Sequence, residues 1–222
     1  MKKNISIAID GPAAAGKSTV SKEVARRLNF TYIDTGAMYR AVTYYAISHE
    51  ANPRDEEEVK KLIPNIYIEL NPNGTVICSG EDVTKVIRTP LVSSSVSYIA
   101  AMVSVRLFLV EQQRKMAKSK SVVMDGRDIG TYVLPNADVK IYQIASVKTR
   151  AERRFLENQQ KNIPCTYEEI EQDVINRDRI DSSRSFAPLK KADDAIELDT
   201  SNLTIEESVQ AVLDIIKEKV KE

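Results

Sequence analysis

Residues Gly11 to Ser18 read Gly-Pro-Ala-Ala-Ala-Gly-Lys-Ser, a G-x-x-x-x-G-K-S spacing that follows an apolar run and opens a helical pattern. In such a turn successive backbone N–H groups face inward as an anion nest, and the helix behind aims its positive end at the same point. Lys17 reaches β- and γ-phosphates, and the Ser18 hydroxyl ligates Mg²⁺. Pro12, Ala13, Ala14 and Ala15 fill the loop with small residues. The spacing points to a nucleoside triphosphate and leaves the phosphoryl acceptor open.

Three further stretches set arginine beside carboxylates or hydroxyls: "DTGAMYRA" at 34–41, "MDGRDIGT" at 124–131 and "NRDRIDSSRSFAPL" at 176–189. The first two begin where predicted strands end, the edge at which open α/β sheets bind ligands. Arg177, Asp181 and Arg184 are spaced i, i+4, i+7, which on a helix puts them within about 60° of one another. Such a face suits phosphate oxygens, which arginine forks grip bidentately, or a solvated helix with internal ion pairs. Arg40 stands one turn into the helix after a Thr35–Gly36 turn. Arg150, Arg153 and Arg154 crowd another helix, where Glu152 and Glu157 can neutralise them on a solvated face. His49, the lone histidine, is expected at or near the surface and is given no catalytic role.

These residues need elements to hold them. Short buried strands are predicted at 4–10, 31–33, 121–124, 139–144 and 195–198. Helix-period segments lie at 17–28, 37–49, 105–118, 148–160, 167–180 and 204–220. The alternation predicts a parallel α/β sheet with right-handed crossovers. From about 56 to 92 the rhythm breaks: "IYIEL" and "TVICSG" flank an Asn-Pro-Asn-Gly turn, which reads as a hairpin in an inserted α+β module.

Composition narrows the partners. The 222 residues are 42% hydrophobic, enough for one substantial core, and Lys+Arg equals Asp+Glu at 32 each. Nucleic-acid binders carry a basic excess, so an anionic small molecule held by a few aimed arginines fits better. Cys78 and Cys165 stand far apart and read as reduced thiols. Asp10 interrupts the apolar N-terminal run too early for a signal peptide, and no stretch nears the roughly 20 apolar residues of a membrane span. A cytoplasmic monomer without nucleic-acid or membrane partners is the expectation.

Taken together, "IAIDGPAAAGKST", "YIDTGAMYRA", "DGRDIGT" and "RDRIDSSRSFAPL" resemble bacterial cytidylate kinases over nearly the whole chain. The resemblance implies a P-loop core with a five-stranded parallel sheet, residues 1–35 and 100–222, carrying a short lid near 150–163. It also implies a nucleoside-monophosphate-binding module at 36–99 containing the hairpin. ATP would lie on residues 11–19, including Thr19, with Arg153 on its phosphates and Mg²⁺ on Ser18. Asp34 or Asp125 would reach the metal through water. Arg40, Arg127 and Arg177 would hold the phosphate of CMP or dCMP, with Lys17, Arg127 and Arg177 serving the transfer. Ser97, Arg106 and Asp128 would stand at the base-reading positions, Asp181 at the ribose, and Thr35 and Arg184 would line the same site.

The chemistry agrees with those roles. Cytosine offers an exocyclic amino donor where uracil has a carbonyl, so the carboxylate of Asp128 favours cytosine and Arg106 suits the ring acceptors. Ser97 and Arg106 are nine residues apart and would face opposite ways on one helix, so a break is expected between them, with Ser104 as a new N-cap. Two rivals stay open: a P-loop kinase for another acceptor, such as UMP, AMP or a shikimate-like alcohol, and a non-kinase nucleotide switch. The N-K-x-D motif that a guanine switch needs is missing from the chain.

Overall fold

The computed structural model describes residues 4–220. The chain forms two compact units, one of Met1–Tyr32 with Ser121–Glu222, the other of Ile33–Lys120.

The first unit is built on a five-stranded sheet. Its strands are β1 (Ser6–Asp10), β2 (Thr31–Asp34), β6 (Val122–Gly126), β7 (Val139–Ile144) and β8 (Ile196–Asp199), in the order β2-β6-β1-β7-β8. β1 pairs in parallel with both β6 and β7, and β7 with β8. Strands covered on both faces read as near-continuous apolar runs, and β1 and β6 do; β8, at the edge, alternates between exposed and half-buried. One face is covered by α1 (Lys17–Leu28) and α8 (Ile205–Val220). Val20, Val24 and Ala25 meet Val209, Val212 and Ile216 over Ile7, Ile9, Val123, Val139 and Ile141. α6 (Val147–Gln160) and α7 (Tyr167–Ser183) pack along one another. A capping box starts α7: Thr166 Oγ1 accepts from the Glu169 N–H and Glu169 Oε2 from the Thr166 N–H. The strand register sets Asp10 level with Gly126 and Tyr142, so β1 and β6 deliver their loops at one edge.

The second unit holds α2 (Thr35–Ser48), α3 (Glu56–Leu62), strands β3 (Ile68–Leu70), β4 (Val76–Cys78) and β5 (Glu81–Asp82), and helices α4 (Pro90–Ile99) and α5 (Val103–Ala117). The expected hairpin is there, as β3 and β4 pair antiparallel around the Asn71–Gly74 turn, and β5 extends it to three strands. Helix α3 supplies a helical part of the inserted α+β module, and α4 is a helix that was given no bounds from the sequence. Pro90 starts α4 at a position that needs no N–H donor.

The break between Ser97 and Arg106 exists: α4 and α5 meet at a 97° bend. Its cap is not Ser104. Met102 is the N-cap residue of α5 and offers no capping side chain. Ser104 lies inside the first turn, and its N–H and hydroxyl both donate to Glu56 Oε1 at 2.8 Å. A carboxylate from α3 therefore satisfies the helix start that a serine was expected to satisfy. Among the described residues no single helix is long and apolar enough to cross a membrane.

Candidate active site

Building begins at the end of β1. Gly11 follows Asp10 with φ 151°, and a Cβ there would stand 1.9 Å from the Gln143 carbonyl oxygen of β7, so only glycine lets the loop pass so close to the sheet. Gly16 (φ 85°) then turns the chain into α1, which no side chain caps and whose first turn holds no acid. Its leading N–H groups are left for an anion. Lys17 is only 4% exposed, with Nζ donating to the Pro12 carbonyl at 2.7 Å. Burial, then the nearby Arg127 guanidinium, pushes its pKa well below the ordinary lysine value. An incoming polyphosphate would supply the negative charge that this ammonium group lacks.

Behind the loop lies a second layer. Ser18 Oγ donates to Asp125 Oδ2 at 2.7 Å, and Tyr32 donates to Asp125 Oδ1 at 2.8 Å. Asp10 is buried and accepts the N–H groups of Ile129 (2.8 Å) and Gly130 (2.7 Å). Burial pushes its pKa up to about 7 against the pull of those two donors. The same carboxylate that precedes the phosphate loop thus fixes the chain just after Asp128. Residues Ile129–Val133 form a single π-helical turn, with the Leu134 N–H bonding the Ile129 carbonyl, a widened geometry often found at functional sites.

Three arginines gather on α7 and the loop after β6. Arg127 Nε donates to Asp181 Oδ2 at 2.9 Å, Arg184 Nη1 lies 3.9 Å from Asp181 Oδ1, and Arg177 Nη1 lies 4.0 Å from Asp173. Burial pushes Asp181 upward, yet Arg127, Arg184 and Arg177 together outweigh it and hold the carboxylate below its usual range. Arg177, Asp181 and Arg184 would share a face if the helix ran through 184. Arg184 is instead the C-cap residue, in an extended conformation, reaching back to the Asp181 carbonyl through Nε.

In the second unit, Asp34 caps α2 by accepting the Ala37 N–H, so Thr35 and Gly36 are the helix's first turn rather than a turn before it. Arg40 and Arg88 approach the Asp34 carboxylate at 3.4 and 3.1 Å. Burial raises the pKa of Asp34, but those two cations outweigh it and leave it lowered. Ser97 is buried on α4. Arg106, 1% exposed, donates to the Ala100 carbonyl at the bend and lies over the Tyr39 ring at 5.6 Å.

A cytidylate kinase family model matches residues 7–218. The chain belongs to the cytidylate kinase family. A cytidylate kinase from Geobacillus sp. (strain WCH70) is 52% identical over 223 residues, covering 99% of this chain and 100% of that one. One from Anoxybacillus flavithermus (strain DSM 21510 / WK1) is 50% identical over 224 residues, covering all of both. Among solved structures, a gluconokinase from Sinorhizobium meliloti 1021 (TM-score 0.51, 12% identity, 96% of this chain and 92% of that chain) shares the fold. So does a putative kinase from Chloroflexus aurantiacus J-10-fl (TM-score 0.50, 15% identity, 99% of both chains).

For a cytidylate kinase, the Ser18–Asp125 pair is a fitting place for Mg²⁺: two oxygen donors beside the phosphate loop, of the hard type this ion takes. Among the described residues no three carboxylate, histidine or cysteine groups cluster as a closed metal cage. Asp34, the other carboxylate considered for the metal, is committed to its helix and two arginines.

Arg150 is the largest departure from the sequence reading, which set it on a solvated face against Glu152 and Glu157. It is 4% exposed and pairs with Asp178, while Arg154 takes Glu157. Arg153 reaches the carbonyls of Ala15 (3.4 Å) and Thr200 (2.6 Å). Asp10, Asp178 and Gln143, which carry hydrogen bonds around the phosphate loop and its neighbours, were not singled out from the sequence. Only Asp10 carried a signal, as a carboxylate at a strand end directly before the loop.

Proposed function

We propose that this enzyme transfers the γ-phosphoryl group of ATP to the phosphate of CMP or dCMP, giving CDP or dCDP and ADP. The observation that carries the reading is the strand register: Gly126 stands level with Asp10, so Arg127, paired with Asp181 at 2.9 Å, leaves the sheet beside the phosphate loop that holds Lys17. In this reading Lys17 serves the donor phosphates and Arg127 the acceptor phosphate. The acceptor is already an anion, so alignment and neutralisation matter more than a general base.

The loop amides and Lys17 hold the β- and γ-phosphates of ATP, with Thr19 and Arg153 at its edge. Ser18 and Asp125 would hold Mg²⁺, which would supply charge neutralisation. Arg127, Arg177 and Arg40 take the acceptor phosphate, Asp181 the ribose, and Arg184 the same site. Asp128, Arg106 and Ser97 read the base, and Thr35 lines the same site. The lid is assigned to residues 150–163 and the monophosphate-binding module to 36–99.

Phosphorus NMR on a mixture of protein, Mg²⁺, ATP and CMP tests the reading. CDP and ADP should grow in equal amounts. Inorganic phosphate growing in place of CDP overturns it.

A further inference from the structure

Three carbonyl oxygens of the phosphate loop are gripped by side chains. Lys17 Nζ holds Pro12 O, Arg150 Nη1 holds Ala13 O at 3.0 Å, and Gln143 Nε2 holds Ala15 O at 2.7 Å. A peptide group is planar and trans, so fixing the Ala13 oxygen also fixes the direction of the Ala14 N–H on its opposite side. Ala14 sits at φ 58°, a left-handed conformation disfavoured for a residue with a Cβ, so the loop needs outside restraint there.

Arg150 supplies that restraint from α6. Its Nε donates to the Ala145 carbonyl at 2.9 Å, and Nη1 and Nη2 meet the two oxygens of Asp178 at 3.0 and 2.6 Å. Such a bidentate fork leaves the guanidinium one orientation. Asp178 stands on α7, next to Arg177 and three residues before Asp181. We propose that Arg150 and Asp178 are positioning residues that tie the donor loop to helix α7, so the helix assigned to the acceptor also sets the aim of the loop amides on ATP. The first residue of the assigned lid is then a buried anchor rather than a swinging arm.

This inference rests on the kinase reading through ATP at the loop. Asp178→Asn and Arg150→Lys keep side-chain volume while weakening the fork. ATP affinity by titration calorimetry, KM for ATP, KM for CMP and the thermal midpoint are measured for both variants and the double variant. Coupling predicts a roughly ten-fold loss of ATP affinity and a matching rise in KM for ATP in either single variant, about what one charge-assisted hydrogen bond contributes. It also predicts that the double variant is no worse than the singles. Wild-type ATP affinity in folded variants overturns the proposal. So does a fall in the thermal midpoint alone, a rise confined to KM for CMP, or additive losses in the double variant. Wild-type protein that binds ATP without making CDP would sink the kinase reading, and the affinity ratios would still decide the coupling.

Discussion

Lys17 and Asp10 stand at opposite ends of the phosphate loop, and burial acts on both in ways that can be measured. Replacing Lys17 with alanine removes the cation assigned to the β- and γ-phosphates while leaving the core untouched. Turnover should drop by about two to four orders of magnitude, with an unchanged circular dichroism spectrum; near-normal turnover would contradict the loop assignment. Asp10 has a pKa raised to about 7, above its value of 3.8 in an exposed chain. Between those two pH values the folded protein keeps a proton that the unfolded chain has lost, so this group's contribution to stability falls as pH rises from about 4 to about 7 and is level above. Urea unfolding at several pH values should therefore show a wild-type slope more negative than that of Asp10→Asn, by up to about 1.4 kcal/mol per pH unit. Parallel slopes would refute it. Asp128→Ala should erode discrimination of CMP over UMP by about ten-fold or more in kcat/KM, since a buried carboxylate facing the uracil carbonyl is repelled by it. Unchanged discrimination would remove Asp128 from base reading.

At the level of elements, the loops work because the strands and helices around them are rigid. Gly11→Ala forces a Cβ into the backbone of β7, and neither strand can yield without losing pairing. The variant should unfold at a clearly lower urea concentration and lose activity together. Glu56→Ala leaves the Ser104 N–H and hydroxyl of α5 without their acceptor, which should cost about 1–2 kcal/mol in denaturant unfolding. What the sequence disclosed follows from range. The β1–loop–α1 unit was readable because its chemistry needs fixed spacing over a few residues. The parallel strands were readable because burial on both faces leaves apolar runs. Helix α4 was not, since "PLVSSSVSYI" is rich in serine and β-branched valine, weak helix formers that packing has overridden. Nor could Arg150 be read, because its partners Ala13 and Asp178 lie 137 and 28 residues away and only the folded chain joins them. The π turn after Asp128 leaves no periodic trace at all.

Over the whole molecule, positive and negative charges balance, so attraction for nucleotides is local and comes from where the chain aims its cations. Lys17, Arg127, Arg177 and Arg184 in one unit, and Arg40 and Arg106 in the other, are the cations proposed for this. A kinase family model across residues 7–218 and relatives near 50% identity over the full length set the activity. ATP present at a hundred times its dissociation constant should add about 2.7 kcal/mol to stability, and Lys17→Ala should lose most of that gain. The most direct measurement is an acceptor panel with ATP and Mg²⁺, comparing kcat/KM for CMP, dCMP, UMP, AMP and shikimate under one assay. CMP and dCMP should exceed every other acceptor by at least about ten-fold, with ATP hydrolysis in the absence of acceptor far slower. A higher kcat/KM for UMP, AMP or shikimate than for CMP would contradict the account.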